Sequence, residues 1–162
     1  MTPDRNRICE ISLDAIPARR NQHVDRERRS AISDLLDANY FELVGRDCKG
    51  PYRVSLSLSD GRLAFHIADL EGAPVISHVI SARPLQRVIK DYWLICDAHI
   101  RASLGSNAYQ LEAIDMGRRA FHNEGSQLLK ERLASKISID LETARGLFTL
   151  ISTLLFGSRF VV

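Results

Sequence analysis

The chain reads as an α+β protein, with an N-terminal antiparallel sheet and one early helix followed by a C-terminal helical half packed on one sheet face. Three observations predict this. Residues Tyr52–Asp69 alternate apolar and polar side chains on both sides of Asp60-Gly61, the period-two signature of a half-buried hairpin. From residue 83 onward, apolar residues recur at three- and four-residue intervals instead, the period of helices with one buried stripe. Strand-like segments mostly precede helical ones rather than alternating with them, which favours a segregated α+β arrangement over an α/β one.

Taken in order, Arg7–Leu13 is a short strand with Cys9, Ile11 and Leu13 on one face. A polar connection containing Pro17 follows over residues 16–23. Val24–Asn39 reads as a helix because Val24, Ala31, Ile32, Leu35 and Leu36 share one face, while Arg26, Glu27, Arg28 and Arg29 form a solvated one. Tyr40–Val44 is a strand and Gly45–Pro51 a loop. Centring a hairpin on Asp60-Gly61 pairs Leu58 with Leu63, Leu56 with Phe65 and Val54 with Ile67, so every apolar residue faces the same way. Pro74–Ser81 is the next strand. Leu85, Val88, Ile89, Tyr92, Cys96, His99 and Ile100 mark a helix that Gly105-Ser106-Asn107 breaks. Ala108–Glu124 and Ser126–Ala134 are helical, with Gly125 either a joint or an interior glycine. Asp140 caps a last helix running through Leu155.

Composition bounds the function classes. The 162 residues are long enough for one domain, residues 1–162, that builds its core without metals or disulfides. The 22 Lys+Arg nearly balance the 20 Asp+Glu, and the balance holds segment by segment. A linear phosphate-binding tract is therefore missing, which argues against a nucleic-acid partner. Residues 1–20 carry seven charged side chains and no apolar core of a signal peptide, and the longest uncharged apolar stretch, Gly146–Ser158, is too short to cross a bilayer. Cys9, Cys48 and Cys96 are an odd, widely spaced set without CxxC, read as free thiols. Together these predict a cytoplasmic protein without a membrane partner.

The most chemically dense stretch is AIDMGRRAFHNEGSQLLKERL, residues 113–133. On a helix, Asp115, Arg118, Arg119 and His122 share a face, and Asp115 can pair with Arg119. If a helix ended at Gly125, Ser126 would cap the next one and leave backbone amides free for an anion. Arg118, Arg119, His122, Asn123 and Ser126 are then a candidate anion site. The competing reading is an ion-paired surface face. Cys96 and His99 could offer zinc two ligands, but they lie in the apolar stripe with no second pair nearby, so a packed core is favoured. His66 and His78 lie on neighbouring strands, where register decides whether they meet. No catalytic set, metal site or cofactor is implied: GxGxxG, P-loop, GxSxG, HEXXH and kinase motifs are missing.

The segments EAIDMGRRAFHNEGSQLLKERL, GPYRVSLSLSDGRLAFHI and PLQRVIKDYWLIC, with RICEISLD and ETARGLFTLI at the two ends, resemble uncharacterised protein family 0262 of alphaproteobacteria. The resemblance implies a small intracellular bacterial protein and supplies no catalytic residue, ligand or cofactor. Two functions are therefore expected to compete. One is a non-catalytic binding or regulatory module that works through a protein partner or as a homodimer, motivated partly by an apolar last helix (Leu147–Phe156) larger than one core covers. The other is a small-molecule or phosphate-binding protein or enzyme with its site around Arg118, Arg119 and His122.

Overall fold

A two-residue turn sets the sheet. In the computed structural model, which describes residues 5–14, 21–105 and 107–156, Asp60 and Gly61 both take positive φ, 51° and 75°. That is the left-handed turn whose twist matches a hairpin. It joins β3 (Tyr52–Ser59) to β4 (Arg62–Ala68), with Leu58 opposite Leu63, Leu56 opposite Phe65 and Val54 opposite Ile67 as the alternation requires. β5 (Pro74–Ser81) pairs antiparallel with β4, placing Ser77 opposite His66 and His78 opposite Phe65. His66 and His78 therefore project from opposite faces and do not meet.

β1 (Ile8–Leu13) joins the other side of β3, and here the sheet departs from the antiparallel expectation. The pairing is parallel, so the sheet is mixed, with strand order β1-β3-β4-β5. The chain passes through α1 (Gln22–Asp37) and β2 (Phe41–Leu43) between the two strands, and such a crossover returns the chain in its original direction. A register shift between Ile8 and Glu10 also changes which side chains point inward. Ile8 and Ile11 are buried, Leu13 is half-buried, and half-buried Cys9 directs its thiol to the Tyr52 carbonyl.

α1 begins two residues earlier than the apolar spacing indicates, because the Asn21 side chain accepts hydrogen bonds from the amides of His23 and Val24. Of the polar connection expected over 16–23, residues 16–20 lie outside those described. β2 pairs antiparallel with β6 (Ile137–Ile139) in a second, two-stranded sheet. Three residues are too few to show a period, so β6 escapes pattern reading.

The helical half contains α2 (Arg83–Ser103), α3 (Ala108–Leu133) and α4 (Leu141–Leu155). Asp140 caps α4 by accepting from the Thr143 amide at 2.8 Å. Gly125 is an interior glycine. A Cβ built on it would lie 2.1 Å from a ring carbon of Phe148, so its bareness lets α4 pack directly on α3. Residues Leu150 to Leu155 are all buried, which corrects the expectation that the last helix carries surplus apolar surface. The apolar sheet face and the inward faces of all four helices share one contiguous buried cluster. The opposite sheet face carries Arg53, Ser55, Ser57, His66 and Ser77.

Candidate functional site

Asp115 is the centre of the dense segment. Its carboxylate accepts from Arg118 at 2.7 Å and from Arg119 at 2.7 Å, and lies 3.6 Å from His99 on α2. Arg118's hydrogen bond holds the Asp115 carboxyl below its usual range. Both arginines thus already hold an anion, and the Arg119 side chain is 71% exposed. The helix start expected at Ser126 does not form, because α3 runs unbroken past Gly125. Ser126 is fully buried and its hydroxyl donates to the His122 carbonyl one turn back. No free backbone amides therefore stand at that position.

His122 points elsewhere. It sits edge-on to the Phe148 ring at 5.2 Å and beside Tyr92 at 5.4 Å. Its Nε2–H donates to Thr149 Oγ1 at 2.8 Å, since that hydroxyl donates its own hydrogen to the Arg145 carbonyl. This tautomer leaves Nδ1 as an acceptor. Burial, helped by the charges of Arg145 and Arg118, pushes the imidazole down to about 4, so it is neutral at pH 7. Asn123 accepts from Arg145 at 2.6 Å, and Arg145 also donates to Glu142.

The structure therefore divides the five predicted residues. Arg118 and Arg119 serve Asp115, Ser126 is packed inside, and His122 faces a cleft of about 380 Å³ between α1 and α4, with Asn123 held to it through Arg145. Glu27, Asp34 and Glu142 line the same cleft beside Arg145 and Thr149. The α1 and α4 contributions could not be read locally, because they come from segments more than a hundred residues apart.

Two further groupings settle open alternatives. Cys96 is buried, its thiol pushed up to about 11 by burial, while His99 turns to Asp115. Among the described residues no group of three or more His, Cys, Asp or Glu is placed to hold a metal. On the outer sheet face, the His66 ring lies 3.2 Å from Ser57 Oγ and 2.8 Å from Ser77 Oγ. That row joins three strands through hydroxyls, but His66 is exposed, and water competes for each contact.

The helical half also projects apolar surface. Of the nine large apolar residues exposed among those described, five lie on or between α2 and α3: Leu94, Ile100, Leu104, Tyr109 and Met116. Leu104 is 83% and Tyr109 89% exposed at the joined ends of the two helices. The first fully buried residue of α3 is Gly125; before it the helix is exposed or half-buried, and Phe121 and His122 pack against the core from there. Local periodicity missed this arm because it reports which residues could face a core, not whether a core reaches them.

These features define an α+β protein with a mixed four-stranded sheet and a helical layer whose α2–α3 pair bears exposed apolar residues. No helix among the described residues is long and apolar enough to cross a membrane. The chain belongs to the uncharacterised protein family UPF0262, whose model matches residues 5–156. It is 48% identical to the UPF0262 protein of Rhizobium meliloti over 155 residues, covering 95% of this chain and 98% of the relative. It is 47% identical to a UPF0262 protein of Rhizobium johnstonii over 148 residues (91% and 94%). Against the Mesorhizobium japonicum family member, identity is 46% over 150 residues (93% of each chain). No solved structure matches the chain.

Proposed function

We propose that this protein is a non-catalytic, cytoplasmic binding module that works by holding a protein partner. The observation that carries this reading is the apolar surface of the α2–α3 arm, above all Leu104 and Tyr109. Isolated exposed apolar residues are ordinary on any protein, whereas a concentration of them on one helix pair marks a contact surface. The three cysteines are free thiols, in keeping with a reducing compartment.

The test is affinity capture from a native lysate with the wild-type chain and a Leu104→Asp/Tyr109→Asp variant, which alters no buried residue. A partner held by the wild type and lost from the variant supports the reading. Equal recovery by both overturns it.

One observation favours a second reading, a small-molecule site: His122, Thr149 and Arg145 meet at the α1–α4 cleft. Glu27, Asp34 and Glu142 make that cleft unfavourable for phosphate, so a neutral or cationic ligand suits it better. A thermal-shift screen of amines, sugars and phosphates separates these classes, since a specific ligand raises apparent stability by mass action.

A further inference from the structure

The two edges of the four-stranded sheet are treated differently. At the β1 edge, Asn39 acts as a substitute strand: its Oδ1 accepts from the Ile8 amide at 2.7 Å and its Nδ2 donates to the Ile8 carbonyl at 3.0 Å. Asn39 thus occupies the backbone groups of Ile8, at the start of that edge. β5 is the opposite edge, with β4 as its only strand neighbour among the described residues. Its eight residues, PVISHVIS, contain four β-branched side chains and no Lys, Arg, Asp or Glu. Ile80 alone is buried, and Val79 is 50% exposed. Exposed edges are usually blunted by charge, proline or a bulge. Here the proline and the register shift stand only at the strand's start, and its centre has neither.

The turn fixes which backbone groups are free. In a two-residue hairpin the flanking pair, Ser59 and Arg62, is hydrogen-bonded. Alternation then directs the N–H and C=O of Leu63, Phe65 and Ile67 toward β5, where they meet Ile80, His78 and Ile76. The amide of Ala82 donating to the Gly61 carbonyl continues this parity. Val75, Ser77, Val79 and Ser81 are left pointing outward, and the Val75 carbonyl is indeed met from outside by Arg46, at 3.4 Å.

We infer that β5 is a dimerisation edge that pairs antiparallel with β5 of a second copy, about a two-fold axis through His78. The sequence is self-complementary in that register, because VIS precedes His78 and VIS follows it. Ser77 meets the second copy's Val79 and Val75 meets its Ser81, with about eight interstrand hydrogen bonds between them once Arg46 gives up the Val75 carbonyl. Ile76 meets Ile80 on the inner face, which extends the apolar side of the sheet across the axis. The two His78 residues form the close pair on the axis, their side chains on the inner sheet face beside Arg132 and Lys136 of their own chains. No like charges oppose each other along the strand. Because the pairing is isologous, it uses the β5 edge of both copies and is complete at two chains.

This extends the binding-module reading by naming a second copy as one partner, on a surface separate from the arm. Light scattering coupled to size exclusion, run on the full chain over a dilution series, should show a mass rising from 18.2 kDa to twice that value. Val79→Pro removes an amide that faces the free edge and takes no bond from β4, so it should weaken the dimer roughly tenfold or more. Leu104→Asp/Tyr109→Asp should leave the dimer intact, which separates failure of this inference from failure of the arm reading. Should Val79→Pro not fold, amide exchange on the wild type decides instead: the Ser77 and Val79 amides slow with concentration if they pair. A strict monomer at every concentration, including one that takes up an extended segment of another protein, overturns the inference. So does a dimer whose Ser77 and Val79 amides exchange freely.

Discussion

Replacing Gly125 with alanine should destabilise the protein, although the same change in an exposed helix stabilises. Alanine is favoured over glycine in a helix interior by about 1 kcal/mol. Against this, the added Cβ would stand 2.1, 2.3 and 2.8 Å from three ring carbons of Phe148. Carbon atoms prefer about 3.5–4.0 Å, so ring and helix must separate by more than about 1 Å. Phe148 is fully buried and cannot swing into solvent. Overpacking of this kind costs about 1–3 kcal/mol, and the size of the overlap points to the upper end. Subtracting the helix gain leaves a net loss of about 2 kcal/mol. For a chain of this length that lowers Tm by about 4–8 °C. Urea denaturation followed by circular dichroism measures it directly, with an unchanged m-value showing that stability and not denatured-state compactness has moved. Gly105→Ala is the control, since a Cβ there has nothing within 4 Å. A Gly125→Ala variant as stable as the wild type, or more so, would refute the close α3–α4 contact and restore the idea of a helix joint.

Stability should also fall on mild acidification. The unfolded chain protonates His122 near pH 6.5, the folded one only near 4. Between those values the unfolded state binds more protons, so stability declines as pH drops from about 6.5 toward 4, by at most about 3 kcal/mol. His122→Gln should flatten that part of a stability–pH curve. Asn39→Ala removes the bonds to Ile8 and a third, from Nδ2 to the Leu35 carbonyl at 2.8 Å. It should cost about 1–3 kcal/mol in the same urea assay, and a loss below about 0.5 kcal/mol would show that water satisfies the Ile8 backbone equally well.

Much of the fold was legible because it is locally encoded. The hairpin register follows from Asp60-Gly61 and strict alternation, and the bounds of α4 follow from the Asp140 cap and a continuous apolar face. The Asp115–Arg119 pair was legible for the same reason, since helical spacing alone brings it together. Where the local reading departed from the structure, the deciding partner was distant. The parallel placement of β1 depends on a crossover through α1, and the burial of Ile8 on a shift in its pairing with β3. Gly125 reads as a joint or an interior residue with equal ease until Phe148, more than twenty positions later, is seen lying against it. His122 stands out in the sequence as chemically distinctive, but helical spacing offers it only its helix neighbours, whereas its bonded partner is Thr149.

By itself, then, the sequence determined the α+β class, the hairpin and its register, most of the helices and the family to which the chain belongs. Each is carried by short-range periodicity, turn chemistry or contiguous identity. Tertiary structure alone decided that His99 turns to Asp115, that His122 is neutral above a cleft, that the apolar face of the last helix is covered while Leu104 and Tyr109 are not, and that Asn39 bonds the start of the β1 edge. Those outcomes depend on which surfaces meet, and burial and free backbone groups are properties of the assembled chain that no residue pattern states in advance.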